Sequence, residues 1–204
     1  MKVTLVDYGA GNLASVEQAL RRLGAATERC ATPEPLAAAE AVVLPGVGHF
    51  AALSAALDAR GLRAPLAGAI RRGVPFLGIC LGLQALWEGS DEAPAAPGLA
   101  VLPGRVAGLR AFPGGKLPHM GWNTVRRVAG RESRLLRGVP DGAFAYFAHS
   151  YAGPAGGDAV AVCDYGSTFA AAVERGNLAG VQFHPEKSGA VGATILGNFL
   201  GFAG

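Results

Sequence analysis

The chain has 204 residues, half of them hydrophobic and 16% charged, with a net charge of +3. Such a composition excludes a disordered chain, and the length fits one domain with a substantial buried core. Its three cysteines, Cys30, Cys80 and Cys163, are too sparse and odd in number for a disulfide framework, which points to a reducing compartment.

Lys2 to Tyr8 reads as a buried strand, and the early interruption by Asp7 argues against a signal peptide. Asn12 is placed to cap a helix whose Leu13, Val16, Leu20 and Leu23 share one face, and Gly24 ends it. Strands are predicted at Ala26–Cys30, Ala41–Leu44 and Pro75–Ile79, with helical segments around residues 50 to 72. This alternation predicts an α/β fold with a mostly parallel central sheet flanked by helices.

Cys80 follows the last of these strands in Gly78-Ile79-Cys80-Leu81-Gly82 and precedes a helix-like stretch from Leu83 to Glu88. A strand–turn–helix with glycines two residues to either side has the pattern of a nucleophile elbow, here carrying a cysteine. The glycines are needed because side chains there would collide with the neighbouring strand and helix. A thiol at a helix N-terminus is also favoured as thiolate. Cys30 and Cys163 lie in apolar strand-like runs without such a setting and read as small buried hydrophobes.

Beyond Glu88 the alternation gives way to Pro- and Gly-rich sequence up to Pro118, with short strand-like pieces at Val101-Leu102 and Thr124–Val128. The arginines at 126, 127, 131, 134 and 137 lack interleaved aromatic residues and read as a solvated surface, so no nucleic-acid partner is expected. Further strands, several antiparallel, are predicted at Phe144–Ala148, Ala159–Cys163, Phe169–Val173 and Leu178–Phe183. The uncharged stretch from Ser188 onward is too short to span a bilayer and reads as a terminal helix on the core, so a cytoplasmic protein without membrane partners is expected.

A cysteine nucleophile needs a base, and the base an orienting group. His184 lies just past a strand end, and Glu186, two residues on, points the same way in extended backbone. Glu186 is then able to fix the imidazole tautomer and stabilise the imidazolium formed when His184 takes the thiol proton. Pro45-Gly46-Val47-Gly48, directly after a strand, is either an ordinary glycine turn or a loop that aims an amide inward. In the second case Val47 or Gly48 joins Leu81, the residue after the nucleophile, in an oxyanion hole. Nothing in the sequence groups metal ligands or forms a dinucleotide fingerprint, so neither metal nor organic cofactor is expected.

The segments Gly78–Gln84, Pro45–Gly48 and Phe183–Ser188 together resemble the class I glutamine amidotransferases, the Cys-His-Glu type. Three others narrow the resemblance to the family of glutaminase subunits of imidazole glycerol phosphate synthase: Asp7–Asn12, Pro118–Asn123 and Tyr146–Tyr151. His49 and Leu83 depart from the pattern without touching the triad. The resemblance runs in order from residue 7 to residue 188 and implies one glutamine amidotransferase type 1 domain over residues 1–204, flavodoxin-like in fold.

It also implies hydrolysis of the glutamine side-chain amide, with glutamine bound by Gln84 and Glu92 and by the backbone near Ser150 and Tyr151. Helical spacing sets Gln84 one turn from Cys80, whereas Glu92 alone reads equally as a solvated helix end. In a Gly/Pro-framed loop, Pro118, His119, Met120 and Trp122 either close the core or, as the resemblance implies, meet a cyclase subunit in a heterodimer, together with Asn12, Tyr146 and Lys187. Ammonia would then pass to that cyclase for histidine biosynthesis. Rival readings are a glutaminase serving anthranilate, guanine nucleotide or pyridoxal phosphate synthesis, a silent partner-binding scaffold, or an esterase.

Overall fold

The first half of the chain builds one parallel sheet and its covering helices. In the computed structural model, which describes residues 1–203 (Ala203 by its backbone alone), the order is β1 (Lys2–Val6), α1 (Leu13–Arg22), β2 (Ala26–Cys30), α2 (Glu34–Ala37) and β3 (Ala41–Gly46). Then come α3 (Phe50–Ala59), α4 (Arg63–Arg71), β4 (Phe76–Cys80) and the single turn α5 (Leu81–Gln84). Short strands β5 (Gly89–Ser90), β6 (Ala93–Pro97) and β7 (Arg105–Gly108) lead into β8 (His119–Arg127), β9 (Ala143–His149) and β10 (Tyr151–Ala152). The chain closes with β11 (Ala159–Tyr165), β12 (Ser167–Arg175), β13 (Leu178–Val181) and α6 (Gly189–Leu200).

The large sheet runs β2-β1-β3-β4-β13-β12-β11-β8-β9. Its first five strands are parallel, in the flavodoxin-like order, and the remaining four are antiparallel. Leu13, Val16 and Leu20 of α1 and Ile195, Leu196 and Phe199 of α6 fill one face. Phe50, Leu53 and Leu57 of α3 and Leu66 and Ile70 of α4 fill the other. Both faces of the parallel half are thus covered, and β3 and β4 are fully buried runs. A second sheet, β10-β7-β5-β6, lies on the α3 side.

Several expectations are corrected. The helix after Cys80 is one turn and not the stretch from Leu83 to Glu88, because the chain turns into β5; a helix this short carries little of the dipole effect expected of it. Val101-Leu102 is not a strand. The Pro118–Asn123 segment is no loop but largely the start of the nine-residue β8. Leu23 falls at the end of α1, exposed and off the buried face, and Asn12 precedes α1 without a side-chain capping bond. Among the arginines after Val125, Arg127, Arg131 and Arg134 are exposed yet tie loop carbonyls together, and Arg126 pairs with Asp164.

The elbow rests on backbone contact. A Cβ on Gly82 would lie 1.8 Å from the Leu44 carbonyl oxygen, and one on Gly78 would lie 2.8 Å from the Leu83 Cα. Gly197 in α6 has open space around it. We therefore expect Gly82→Ala to lower stability by more than about 4 kcal/mol or to prevent accumulation of folded protein. Gly197→Ala should instead raise stability by about 0.5–1 kcal/mol, because alanine is the better helix former. Urea unfolding of both variants checks the contrast, and similar effects of the two would refute it.

Candidate active site

Cys80 ends β4 with φ 53° and ψ −111°, the only buried non-glycine residue among those described with positive φ. Backbone held this way is costly for a side chain with a Cβ and recurs where function requires it. Parallel pairing sets Gly46 of β3 opposite Cys80, and Val181 of β13 opposite Ile79, so the thiol sits at the carboxyl ends of three adjacent strands. A cavity of about 190 Å³ opens there. It is lined by Val47, Gly48, Cys80, Leu81, Gln84, Glu92, Ser150, Tyr151, His184 and Lys187, so every residue predicted for nucleophile, base, oxyanion hole and substrate meets there except Glu186.

Glu186 stands behind His184. Its Oε1 lies 2.9 Å from His184 Nδ1, and both side chains are buried. The contact arises differently from the alternation predicted, since His184 is extended but Pro185–Lys187 forms a 3₁₀ turn that brings the carboxylate round. Glu186 Oε2 has no partner among the described residues. A buried carboxylate so placed requires a compensating charge, and His184 is the group beside it. Burial works against a charged imidazole, but the neighbouring Cys80 and the hydrogen-bonded Glu186 carboxylate outweigh it and carry the His184 pKa up to about 10. His184 is therefore held as imidazolium at the cavity that Cys80 also lines.

The groups predicted for an oxyanion hole are only partly aligned. Val47 N–H is turned away from the cavity and donates to the Tyr8 hydroxyl at 3.2 Å. Gly48, at φ +95°, has an N–H without a partner among the described residues and lines the cavity. Tyr8 is buried after β1, and that burial, with the nearby Cys80, pushes its pKa up to about 12, so it stays a neutral phenol. Glu92 is half-buried outside any helix, and its Oε2 accepts the N–H of Phe50, the first residue of α3, at 2.8 Å. Both hydrogens of the Gln84 amide are used, by Tyr151 O at 2.7 Å and Gln182 Oε1 at 3.1 Å, which leaves its own Oε1 toward a ligand.

Met120, Trp122, Phe144 and Tyr146 share the outward face of the β8–β9 hairpin, with Trp122 directly opposite Tyr146 and Met120, Trp122 and Phe144 each more than half exposed. Pro118 and Lys187 are exposed nearby, and the Lys187 ammonium lies over the Tyr146 ring. Asn12 is half-buried ahead of α1, which packs against the 185–187 turn. His119 departs from the predicted interface. It points inward, 3% exposed, stacked between Tyr165 and Phe147, because alternation along β8 sends it opposite to Met120.

Three groups escaped the sequence reading. Gln182, fully buried, donates to Cys80 Sγ at 3.6 Å. Strand alternation does not find it, because Gln182 and Phe183 lie in a bend past the end of β13. Ser188 Oγ donates to His184 O and accepts Tyr146 N–H, tying the His184 backbone to β9. His119 and His149 form a buried pair at 3.1 Å whose tautomers the surroundings dictate. Asn123 Nδ2 donates to His119 Nε2, so His119 Nδ1 donates to His149 Nε2, and His149 Nδ1 donates to Tyr151 O. Among the described residues no three His, Cys, Asp or Glu side chains converge as metal ligands, and no helix is long and apolar enough to cross a membrane.

A strand–elbow–helix cysteine, an ion-paired His-Glu and a flavodoxin-like sheet define a cysteine-dependent amidotransferase architecture. The family described as glutamine amidotransferase class-I matches residues 4–201, and the chain belongs to that family. It is 49% identical over 199 residues to the imidazole glycerol phosphate synthase subunit HisH of Methanothermobacter thermautotrophicus, covering 97% of each chain. It is 46% identical over 200 residues to the subunit of the same name from Deinococcus radiodurans, covering 97% of this chain and 92% of that one. Among solved structures, a glutamine amidotransferase superimposes with TM-score 0.77 at 20% identity over 98% of both chains, a likeness of fold.

Burial depresses the His119 pKa from 6.5 to about 4, and burial, with His119 and His184 nearby, depresses that of His149 to about 3. Both groups take up protons more readily when unfolded, so their stability contribution is present above pH ~6.5 and lost as the pH falls through about 4 and 3. Thermal melts should show His119→Gln losing fewer degrees than the unsubstituted chain between about pH 7 and about pH 4. Equal losses would contradict a buried neutral pair.

Proposed function

We propose that this chain is the glutaminase subunit of an imidazole glycerol phosphate synthase, one amidotransferase domain over residues 1–204 working beside a cyclase subunit. The observation that carries the reading is Cys80 on its elbow with His184 held charged beside it at the mouth of a glutamine-sized cavity. Identities of 46–49% to subunits of that name support this acceptor over the rival amidotransferases. Three free thiols fit a cytoplasmic setting.

The reaction is amide hydrolysis through a thioester. Glutamine enters with its ammonium toward Glu92 Oε1 and its main-chain end against Gln84 Oε1 and the Ser150–Tyr151 backbone. Cys80 thiolate attacks the side-chain carbonyl carbon, and the oxyanion that forms takes hydrogen bonds from Leu81 N–H and from Gly48 or a reoriented Val47 N–H. Each such donor contributes on the order of 3 kcal/mol. His184 passes its proton to the amide nitrogen, the C–N bond breaks, and ammonia leaves. His184, now neutral and held by Glu186, takes a proton from water, whose oxygen attacks the thioester; glutamate departs and the thiolate and imidazolium are restored.

The apolar face of Met120, Trp122, Phe144 and Tyr146 is the surface we assign to the cyclase, flanked by Pro118, Asn12 and Lys187. Tyr146 belongs to this face by its side chain and to the site by its carbonyl, which accepts His184 N–H at 2.8 Å. Docking therefore acts on the same strand that steadies the base. Ammonia released here passes directly to the partner, where it is built into imidazole glycerol phosphate.

Cys80→Ala should abolish glutamine hydrolysis, measured as glutamate release, while circular dichroism and partner binding stay unchanged; surviving turnover removes the assignment. With Val47 N–H engaged by Tyr8, turnover of the isolated chain should be low and should rise at least about tenfold with the nucleotide-loaded cyclase. Tyr8→Phe should raise the partner-free rate several-fold and narrow that gap. An isolated chain already at full rate, unmoved by partner or by Tyr8→Phe, rules out the gating.

A further inference from the structure

The Cys80 sulphur, besides lying near His184, donates its thiol hydrogen to the Ala148 carbonyl at 3.9 Å and has a further polar neighbour in Gln182. Gln182 Nε2 lies 3.6 Å from it, within reach for an N–H···S hydrogen bond, and its side chain is fully buried and does not line the cavity. The direction of that amide is dictated from outside. Tyr151 O is a backbone carbonyl that only accepts, and it receives His149 Nδ1 at 2.9 Å and Gln84 Nε2 at 2.7 Å. The amino end of Gln84 must therefore face Tyr151, and its second hydrogen needs an acceptor, which Gln182 Oε1 supplies at 3.1 Å. With its oxygen committed to Gln84, Gln182 presents only N–H to the sulphur.

We propose that Gln182 is a further catalytic residue, whose side-chain N–H stabilises the Cys80 thiolate in an orientation set by Gln84 and the Tyr151 carbonyl. The inference rests on Cys80 being the nucleophile. A fixed N–H dipole aimed at the sulphur favours its negative form, and in a water-poor setting such a bond to a charged group is worth more than one between neutral groups. The same N–H acts twice per turnover. It steadies the attacking thiolate, and when the C–S bond of the thioester breaks and sulphur takes back the electron pair, it steadies the leaving thiolate. Because Gln182 touches sulphur but not the cavity, its loss should lower kcat and leave KM nearly unchanged.

Other titratable groups border this space and are common to all variants: His184, Glu186 and Lys187 after β13, His149 on β9, Tyr8 after β1 and Glu92 ahead of β6. The test is alkylation of Cys80 by iodoacetamide across the pH range, read on the Cys80 peptide by mass spectrometry, with loss of glutaminase activity followed in parallel. In Gln182→Met the alkylation rate at about pH 6 should fall about tenfold while the alkaline plateau stays within about twofold, and kcat should fall with KM unchanged within about twofold. Gln182→Glu, which replaces the donor by a carboxylate and keeps the shape, should shift the acid limb further.

An unshifted acid limb in both variants, or an equal fall at every pH, overturns the proposal, since a packing role alters access at all pH values alike. If either variant fails to fold, the side-chain amide protons of Gln182 in the unsubstituted chain serve instead. Their NMR shifts should move along the same limb as Cys80 alkylation, and shifts independent of pH overturn the proposal. Alkylation of Cys80 without loss of activity is a different failure, that of Cys80 as nucleophile.

Discussion

The approach of Gly82 to the Leu44 carbonyl is the contact on which the site depends. β3 and β4 pair in parallel, and the turn α5 must leave β4 directly over β3, where an added Cβ would overlap backbone. Glycines at 46, 78 and 82 allow that approach, and Cys80 absorbs the remaining bend in its own φ. The thiol is thereby lifted off the sheet at the one level where the ends of β3, β4 and β13 converge. From this follow the neighbours: the Pro45–Gly48 loop from β3, Gln182 and His184 from the end of β13, and Glu92 from the strands beyond the elbow.

Charge in the site is organised around burial. Glu186 is sealed with one oxygen unpartnered among the described residues, and a carboxylate in that position makes a neutral imidazole unfavourable. His184 thus holds its proton far above its ordinary range, while His119 and His149, buried without a carboxylate, are held neutral far below it. Burial and neighbours thus set three of the four histidines in two opposite states. His49, exposed at the start of α3, accepts the Ala51 N–H through Nδ1.

Much of the site was legible in the sequence, for local reasons. Cys80, its glycines and the His184–Glu186 spacing are short-range patterns; steric rules read the elbow, and the spacing named the right pair although alternation gave the wrong reason, Pro185–Lys187 being a turn. Strand and helix alternation likewise gave the parallel half of the sheet. Long-range partners were not legible. Tyr8 and Val47 meet across 39 positions, Gln182 and Cys80 across 102, and no local rule names such pairs. His119 was misread because Pro and Gly around it suggested a loop, whereas a strand sends it inward and Met120 outward. The small sheet was missed because two of its strands have only two residues.

The central claim is that Cys80 carries a γ-glutamyl thioester during turnover. Reaction with isotopically labelled glutamine in the presence of partner, quenched in acid within milliseconds and analysed by peptide mass spectrometry, tests it most directly. A glutamyl adduct is expected on the peptide containing Cys80, absent from the peptides of Cys30 and Cys163, forming and decaying at rates that match steady-state turnover. Sustained turnover with no adduct on Cys80, or an adduct on another residue, contradicts it.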